Sequence, residues 1–154
     1  MIAVRELAAD ERARVDTALP LHRLDQAHST YVVAWESDEP VGHVNVAWNG
    51  TKLGVPELQD MFVLPGRRGA GIGTALAREA ERLVAARGHA CISLSVSEAN
   101  ADARRLYERL GYARADVPPE HVRGTIIIRG TPFEVDDVLL YFAKPVDFSS
   151  PPSS

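Results

Sequence analysis

A glycine-rich run in the middle of the sequence has the residue types that hold phosphate groups. Three glycines alternate in Arg-Gly-Ala-Gly-Ile-Gly-Thr at 68–74, between an apolar strand-like segment at 58–64 and a helix-like segment at 72–87. Glycine lets the backbone bend and approach a ligand, and the unpaired N–H groups of a helix N-terminus attract phosphate. Arg67 and Arg68 add guanidinium groups that match phosphate geometry. The run predicts a site for a phosphorylated cofactor, and the alternative is a plain strand-to-helix turn beside two surface arginines.

Two well-known phosphate loops do not fit this run. A Walker-type loop needs a lysine followed by serine or threonine after its last glycine, whereas Gly73 is followed by Thr74 and Ala75. The dinucleotide fingerprint Gly-x-Gly-x-x-Gly needs a third glycine at the position that Leu76 occupies. The sequence therefore excludes both of these loop types.

A second block, at 100–112, has the pattern of a capped amphipathic helix. Asn100 is a good N-cap, and Gly111 is the residue type that ends a helix. Between them, apolar side chains recur at helical spacing, at Ala103, Leu106, Tyr107 and Leu110. On spacing alone, Tyr107 is a packed core aromatic and Asn100 is only a cap.

Together the two blocks resemble the GNAT superfamily of N-acetyltransferases. Residues 68–73 fit the acetyl-CoA-binding pattern Arg/Gln-x-x-Gly-x-Gly, and residues 100–112 fit Asn-x-x-Ala-x-x-Leu-Tyr-x-x-x-Gly-Phe/Tyr at each key position. The resemblance extends over 1–144, but these specific motifs occupy only 57–112. Two motifs in the right order and spacing are more specific than either one alone.

The resemblance implies an α/β fold, a single GNAT-like domain with a mixed, mostly antiparallel sheet flanked by helices, in which central parallel strands splay apart. The order of elements indicates the same class, because early strands are followed by strand–helix–strand–helix–strand, as in an α/β sandwich around a mixed sheet. We expect this domain at 1–146. The serine- and proline-rich segment 147–154 is expected to be a disordered tail.

Beyond the second block the sequence departs from the minimal family pattern. Pro118 to His121 introduces a break, 125–128 is typical of an added strand, and 130–132 of a turn before a strand at 138–142. This insertion either folds over the acceptor end or pairs with an edge strand of another subunit. A homodimer is therefore one of two alternatives.

In the family, one strand and the loop after it bind acetyl-CoA, the acyl donor. Carried onto this chain, the strand gives backbone hydrogen bonds to the pantetheine arm, the loop amides hold the pyrophosphate, and the N-cap asparagine contacts the arm. The residues that the resemblance assigns to cofactor binding are Met61, Phe62, Val63, Arg68, Gly69, Ala70, Gly71, Ile72, Gly73, Thr74 and Asn100.

Amide formation from a thioester needs a base for the amine proton, donors for the oxyanion and an acid for the thiolate. Glu57 is the first candidate base, because histone-type members of the family carry a glutamate in this strand. Strict alternation puts Glu57 and Gln59 on one face of the strand, and Asp60 and Phe62 on the other. Asp60 and a water relay stay open as alternatives. A backbone amide near Val63 is the implied oxyanion donor.

Tyr107 is the expected acid. In many members of the family, the tyrosine at this position lies near the cofactor sulfur and can protonate the leaving thiolate. This implication of the resemblance reverses the preference for a core aromatic that helical spacing alone gives.

Composition excludes several other classes of protein. The 154 residues are 45% hydrophobic and 25% charged, which is enough for one packed domain, and a single cysteine excludes an internal disulfide. The net charge is −4 with no basic run longer than two residues, so a nucleic-acid partner is not expected. No apolar stretch reaches membrane-spanning length and the N-terminus has no leader pattern, so we expect a cytoplasmic protein without membrane contact.

The histidines show no metal-ligand spacing, so no metal is expected. They number five and are scattered, at His22, His28, His43, His89 and His121. His28 or His43 could line an acceptor pocket, but ordinary surface or half-buried positions are the simpler expectation. Tyr31, in an early strand, is expected to pack in the core or on a sheet face.

The function that these residues imply is transfer of acetyl from acetyl-CoA to a primary amine of a small molecule or peptide, by direct attack in a ternary complex. One alternative is a non-catalytic acyl-CoA-binding or sensor module. Another is a transferase of a longer acyl group. The acceptor is left open, because variable loops such as Leu21 to Ser29 and Val117 to Gly124 build its pocket in this family.

Overall fold

The computed structural model describes residues 1–23 and 27–146, which fall into two compact units. The first unit comprises Met1–Ile92 and resumes at Pro145. The second unit is Ser93–Lys144.

Some of the sequence predictions fall on residues that the structure does not describe. These are the tail at 147–154 and residues 24–26 within the predicted acceptor loop. The single domain predicted over 1–146 stays a prediction.

Four antiparallel strands form the sheet of the first unit, in the order β1-β2-β3-β4. They are β1 (Ile2–Glu6), β2 (Ser29–Glu36), β3 (Glu39–Ala47) and β4 (Glu57–Val63). The unit also contains α1 (Arg12–Ala18), α2 (Ile72–Ala86), short 3-10 turns at Ala9–Glu11 and Pro65–Arg67, and the first two residues of β5 (Cys91–Ser97).

Both faces of the two central strands are covered, which explains the unbroken apolar run Tyr31–Trp35 in β2. On one face, Val15 of α1 packs in a core cluster with Val33 and Trp35. On the other face, Leu76 of α2 lies against β3. Full burial of one such aliphatic side chain stabilises the fold by roughly 1.5–3 kcal/mol.

Gly42 lets α2 and β4 approach β3 closely. A Cβ at this position would lie 3.0 Å from the carbonyl oxygen of Phe62, and 3.2 and 3.3 Å from the side chains of Leu76 and Ile72. Any larger residue would therefore push on the strand and on the helix that flank the predicted phosphate loop.

A β-bulge interrupts β4 just before its end. Asn45 of β3 pairs with Gln59, but His43, two residues back, pairs with Phe62, so β4 carries one extra residue over this stretch. Asp60 lies inside the bulge with φ of 52°, in the left-handed region that aspartate tolerates better than most residues. Beyond this point the simple alternation of faces no longer holds.

The second unit combines one helix with a long hairpin. It contains the rest of β5, α3 (Ala101–Arg109), β6 (Ala113–Arg114), β7 (Glu120–Ile128) and β8 (Thr131–Pro145) up to Lys144. Both β6 and β7 pair antiparallel with β8. The two-residue turn Arg129–Gly130 has positive φ at both positions, which matches the twist of a hairpin.

The structure confirms the two motif helices. The predicted helix at 72–87 is α2, and the Asn100 helix is α3, with Asn100 Oδ1 accepting a hydrogen bond from Ala103 N over 3.1 Å. Two predictions at the C-terminal insertion are wrong. Glu120 and His121, which were expected in a break, belong to β7. The turn expected at 130–132 lies one residue earlier, because Thr131 and Pro132 already belong to β8.

Candidate active site

The predicted phosphate loop leads into the N-terminus of α2, which no side chain caps. Gly71 is the N-cap of α2, with φ of 81°. The first helical hydrogen bond runs from Ala75 N to Gly71 O over 3.0 Å, so the first-turn amides have no acceptor inside the helix. These amides belong to Ile72, Gly73 and Thr74, and no acidic residue stands in that turn. The arrangement favours a bound anion.

The space around the loop is open. Nothing lies within 4 Å of the place where a Cβ would stand at Gly66, Gly69 or Gly71. Gly69 shares the positive φ of Gly71, at 84°, so the backbone conformation at these two positions favours glycine although neither is crowded. The loop is an open run of amides at the positive end of the α2 dipole, an arrangement that favours a bound phosphate.

The two arginines before the loop are not equivalent. Arg67 forms an ion pair with Glu36, with 2.6 Å between Nη2 and Oε1. Arg68 donates from Nε to the carbonyl of Val63 over 3.0 Å and lies over the ring of Phe62. Among the described residues, no carboxylate pairs with Arg68. Of the two arginines, Arg68 is the one whose positive charge is not paired with a described carboxylate, which makes it the better candidate for binding a phosphate.

Glu57 begins β4, and its side chain is almost fully buried. The residue is 8% exposed, and its Oε1 accepts a hydrogen bond from Gln59 Nε2 over 3.0 Å. Gln59 in turn accepts from Arg23 Nε over 2.9 Å. Glu57 and Gln59 share one face of β4, as alternation predicts.

Asp60 is the centre of a polar network on that same face. Its Oδ2 accepts from the hydroxyl of Tyr31 over 2.6 Å and from the backbone N–H of His22 over 3.1 Å. Its Oδ1 lies 2.9 Å from His22 Nδ1. Burial favours protonation, but the hydrogen bonds from Tyr31 and His22 outweigh it and lower the pKa of Asp60. The carboxylate is therefore ionised at neutral pH.

His43 and Tyr31 complete this network from β3 and β2. His43 is fully buried, with Nδ1 2.9 Å from the carbonyl of Asp60 and Nε2 3.2 Å from the carbonyl of Pro20. Burial lowers the pKa of His43, so the ring is neutral near pH 7. Burial and the bond to Asp60 raise the pKa of Tyr31 far above its usual range, so its hydroxyl stays a donor.

Two expectations about this region are wrong. Strict alternation placed Asp60 and Phe62 on the face opposite Glu57, but the bulge turns both toward the Glu57 face, where Phe62 pairs with His43. His43 was expected at a surface or half-buried position, and it is fully buried. The local sequence gave no sign of the bulge beyond an aspartate, a residue type that adopts positive φ more readily than most.

Tyr107 lies in α3 of the second unit. The residue is 7% exposed, and its ring meets the ring of Tyr112 edge-on at 5.7 Å. Burial raises the pKa of Tyr107 to about 12. No hydrogen bond joins its hydroxyl to any residue among 1–23 and 27–146. This buried phenol is thus protonated at neutral pH, and its O–H group donates to none of the described residues.

The described part of the chain contains neither a metal-binding cluster nor a membrane-spanning helix. Over 1–23 and 27–146, no three His, Cys, Asp or Glu side chains are grouped so that they could hold a metal ion. Over the same residues, no helix is both long and apolar enough to cross a membrane.

Comparison with known proteins places the chain in a family. The model of the Acetyltransferase (GNAT) family matches residues 2–112, which is most of the chain. The protein therefore belongs to the GNAT family of acetyltransferases.

Two known proteins are similar to the chain in sequence. An uncharacterized N-acetyltransferase of Methanocaldococcus jannaschii is 36% identical over 91 residues, covering 56% of this chain and 40% of the relative. The streptothricin acetyltransferase of Streptomyces lavendulae is 32% identical over 104 residues, covering 66% of this chain and 53% of the relative. The chain thus spans about half the length of these relatives.

A solved structure supports the fold. A putative streptothricin acetyltransferase of Bacillus anthracis, in complex with acetyl coenzyme A, superposes with a TM-score of 0.69 at 14% identity. The match covers 94% of this chain and 99% of the other. The predicted GNAT-like α/β fold is confirmed.

Proposed function

We propose that the protein transfers an acetyl group from acetyl-CoA to a primary amine of a small molecule or a peptide, by direct attack in a ternary complex. The observation that carries this proposal is the uncapped, glycine-rich N-terminus of α2 behind β4, in a chain of the GNAT family. An amine acceptor is supported by the streptothricin acetyltransferase among its relatives. A cytoplasmic location and a homodimer stay predictions.

The loop and strand of the first unit supply the cofactor contacts in this proposal. The amides from Arg68 to Thr74 hold the pyrophosphate, and the backbone of Met61, Phe62 and Val63 holds the pantetheine arm, with Asn100 as a further contact. Bound acetyl-CoA supplies the thioester carbonyl that the amine attacks. Backbone contacts of this kind leave the side chains of β4 free to vary.

Tyr107 supplies the acid. Its pKa of about 12 keeps the hydroxyl protonated at any pH where an enzyme works. An ordinary thiol has a pKa of about 8.5, well below that of Tyr107, so complete proton transfer from this phenol to a thiolate is unfavourable. Tyr107 therefore acts mainly by donating a hydrogen bond to the charge that develops on sulfur.

Two carboxylates of β4 are candidates for the base. Both oxygens of Asp60 already accept hydrogen bonds, which leaves it poorly suited to take a proton directly. Glu57 has Gln59 as its described donor, and the family resemblance assigns it the role. Glu57→Gln, which keeps the shape and removes the charge, tests this assignment through kcat.

Thiol release from acetyl-CoA tests the proposal. The purified protein is assayed against polyamines, aminoglycosides, amino acids and lysine or N-terminal peptides, with acetyl-CoA binding measured by calorimetry. We expect release that depends on one amine class, and a loss of about 10²-fold in kcat for Tyr107→Phe with cofactor affinity unchanged. Tyr112→Phe, which also removes a buried hydroxyl, is the matched control and should keep its kcat.

Other results would favour the alternatives. Tight binding of acetyl-CoA without release with any amine would support the sensor module. Faster release from a longer acyl-CoA would support the longer-chain transferase. A protein that binds no acyl-CoA at all would refute the proposal.

A further inference from the structure

Three consecutive residues after α1, Leu21 to Arg23, hold this segment against the first unit. Leu21 is fully buried in the core cluster. His22 contacts both oxygens of Asp60, through its backbone N–H and its Nδ1. Arg23 Nε donates to Gln59 over 2.9 Å, and its backbone N–H donates to the hydroxyl of Tyr31 over 2.9 Å. The ring of His22 is therefore held in one orientation.

The contact with Asp60 also determines which ring nitrogen of His22 carries the hydrogen. A carboxylate accepts only, so Nδ1 must be the donor, which leaves the lone pair of a neutral ring on Nε2. The side chain is 46% exposed, and none of the described residues forms a hydrogen bond to Nε2. A histidine with one nitrogen on a buried carboxylate and the other open to solvent has the geometry of a general base.

Exposure separates His22 from the two carboxylates on the same face. The side chain of Asp60 is 10% exposed and both its oxygens are engaged, and Glu57 is 8% exposed and bonded to Gln59. An acceptor amine that approaches this face from solvent therefore reaches the Nε2 of His22 more readily than either carboxylate oxygen.

We propose that His22, oriented by Asp60, takes the proton of the attacking amine, in place of Glu57. The inference rests on the proposed function. As the N–C bond forms and the C–S bond breaks, the amine nitrogen gives its proton to Nε2 and the electron pair of the C–S bond goes to sulfur. The thiolate accepts a hydrogen bond from Tyr107 as it leaves and gains its proton from solvent, and His22 returns its own proton to water. Asp60 is a positioning residue that stabilises the imidazolium.

The ionisable groups around His22 come from each neighbouring strand. Asp60 of β4 lies against Nδ1 of His22, and the buried ring of His43 in β3 faces the same carboxylate. Tyr31 of β2 donates to Asp60 and stays protonated. Arg23, next in the chain, donates from Nε to Gln59. Asp60 is therefore the carboxylate that contacts the ring of His22.

The test compares His22→Gln with His89→Gln. His89 stacks on Trp48 and has no described carboxylate partner, which makes it a matched histidine control. We expect His22→Gln to lower kcat/KM by about 10²-fold, while acetyl-CoA binding and thermal stability stay near those of the parent protein. His89→Gln should keep the rate of the parent protein.

Two further variants make the result specific. Imidazole in the assay should restore part of the rate of His22→Ala, because the open position beside Asp60 admits a small base. Asp60→Asn should lower kcat more than it raises KM, because the amide orients the ring without stabilising its charge.

Different failures point to different errors. If the parent protein is active and His22→Gln keeps its rate, the inference is wrong and the proposed function stands. The inference is also wrong if Glu57→Gln lowers kcat/KM by about 10²-fold and His22→Gln does not. If the parent protein releases no thiol with any amine, the proposed function fails and the inference fails with it.

Discussion

Two histidine–aspartate pairs in the described part of the chain, His22–Asp60 and His121–Asp136, have similar lengths but very different surroundings. In the first unit, His22 Nδ1 lies 2.9 Å from Asp60 Oδ1, and in the second unit, His121 Nε2 lies 2.6 Å from Asp136 Oδ1. The side chain of Asp60 is 10% exposed, whereas that of Asp136 is 66% exposed. The shorter contact thus belongs to the more exposed pair.

Burial and extra donors, rather than distance, separate the two pairs. Asp60 also accepts from Tyr31 and from a backbone N–H, inside a bulge that fixes its position. Asp136 and His121 lie on the exposed part of the β7–β8 hairpin, where water screens the charges and two mobile side chains lose entropy on pairing. The surroundings of the histidine–aspartate pair at the bulge are therefore suited to catalysis. The pair on the hairpin contributes little to the stability of the fold.

The largest difference in stability between the two pairs is expected when the aspartate of each pair is replaced by alanine. Asp60→Ala leaves the hydroxyl of Tyr31 and the N–H groups of His22 without their acceptor, so we expect a loss of about 3 kcal/mol in the free energy of unfolding. Asp136→Ala should cost less than about 0.5 kcal/mol. Urea unfolding followed by circular dichroism measures both, and equal losses would contradict the comparison.

Removing one donor to Asp60 should have an intermediate effect. Tyr31→Phe deletes the hydroxyl that lies 2.6 Å from Asp60, and we expect a loss of about 1.5 kcal/mol. Tyr141→Phe in the second unit removes a hydroxyl that donates to Glu120 over 3.0 Å and provides the control. A smaller loss for Tyr31→Phe than for Tyr141→Phe would show that the network is weaker than its geometry indicates.

Acid should destabilise the first unit through His43. Its pKa is lowered by burial in the folded chain, so the unfolded chain binds a proton first as the pH falls through the ordinary value of 6.5. Stability is then lost below this pH, by at most about 1.4 kcal/mol per pH unit for one group. Asp60, whose pKa is also lowered, adds a further loss in more acidic solution. Thermal unfolding of His43→Gln between pH 7.5 and 5 should show a smaller decline than the parent protein.

The smallest change in the free energy of unfolding is expected for the exposed His121. His121→Gln should change the free energy of unfolding by less than about 0.5 kcal/mol, because the lost contact with Asp136 is exposed to water. A loss above 1 kcal/mol in the same urea experiment would mean that the hairpin pair is structurally important after all.

Much of the fold follows from local patterns in the sequence. The alternating glycines before 72 and the apolar spacing after it are enough to place α2, and Asn100 and Gly111 bracket α3 within two residues. The motif spacing likewise predicts the open run of amides, because glycines and a helix start define it locally.

The polar network could not be predicted in the same way. Asp60 meets Tyr31 and His22 across 29 and 38 residues of sequence, and these contacts exist only after β2, β3 and β4 have paired. The bulge itself depends on the register between β3 and β4, which no local pattern shows. The sequence therefore pointed to the carboxylate of Asp60 but placed it on the wrong face.

The one extra residue in β4 also affects how this protein is compared with others. An alignment that treats β4 as a regular strand matches residues after Gln59 to positions that face the opposite way in a straight strand. A gap placed at Asp60 instead keeps Phe62 and Val63 in step with their partners His43 and Gly42. Residue roles transferred onto this strand from a protein whose strand is regular thus depend on where that single gap is drawn.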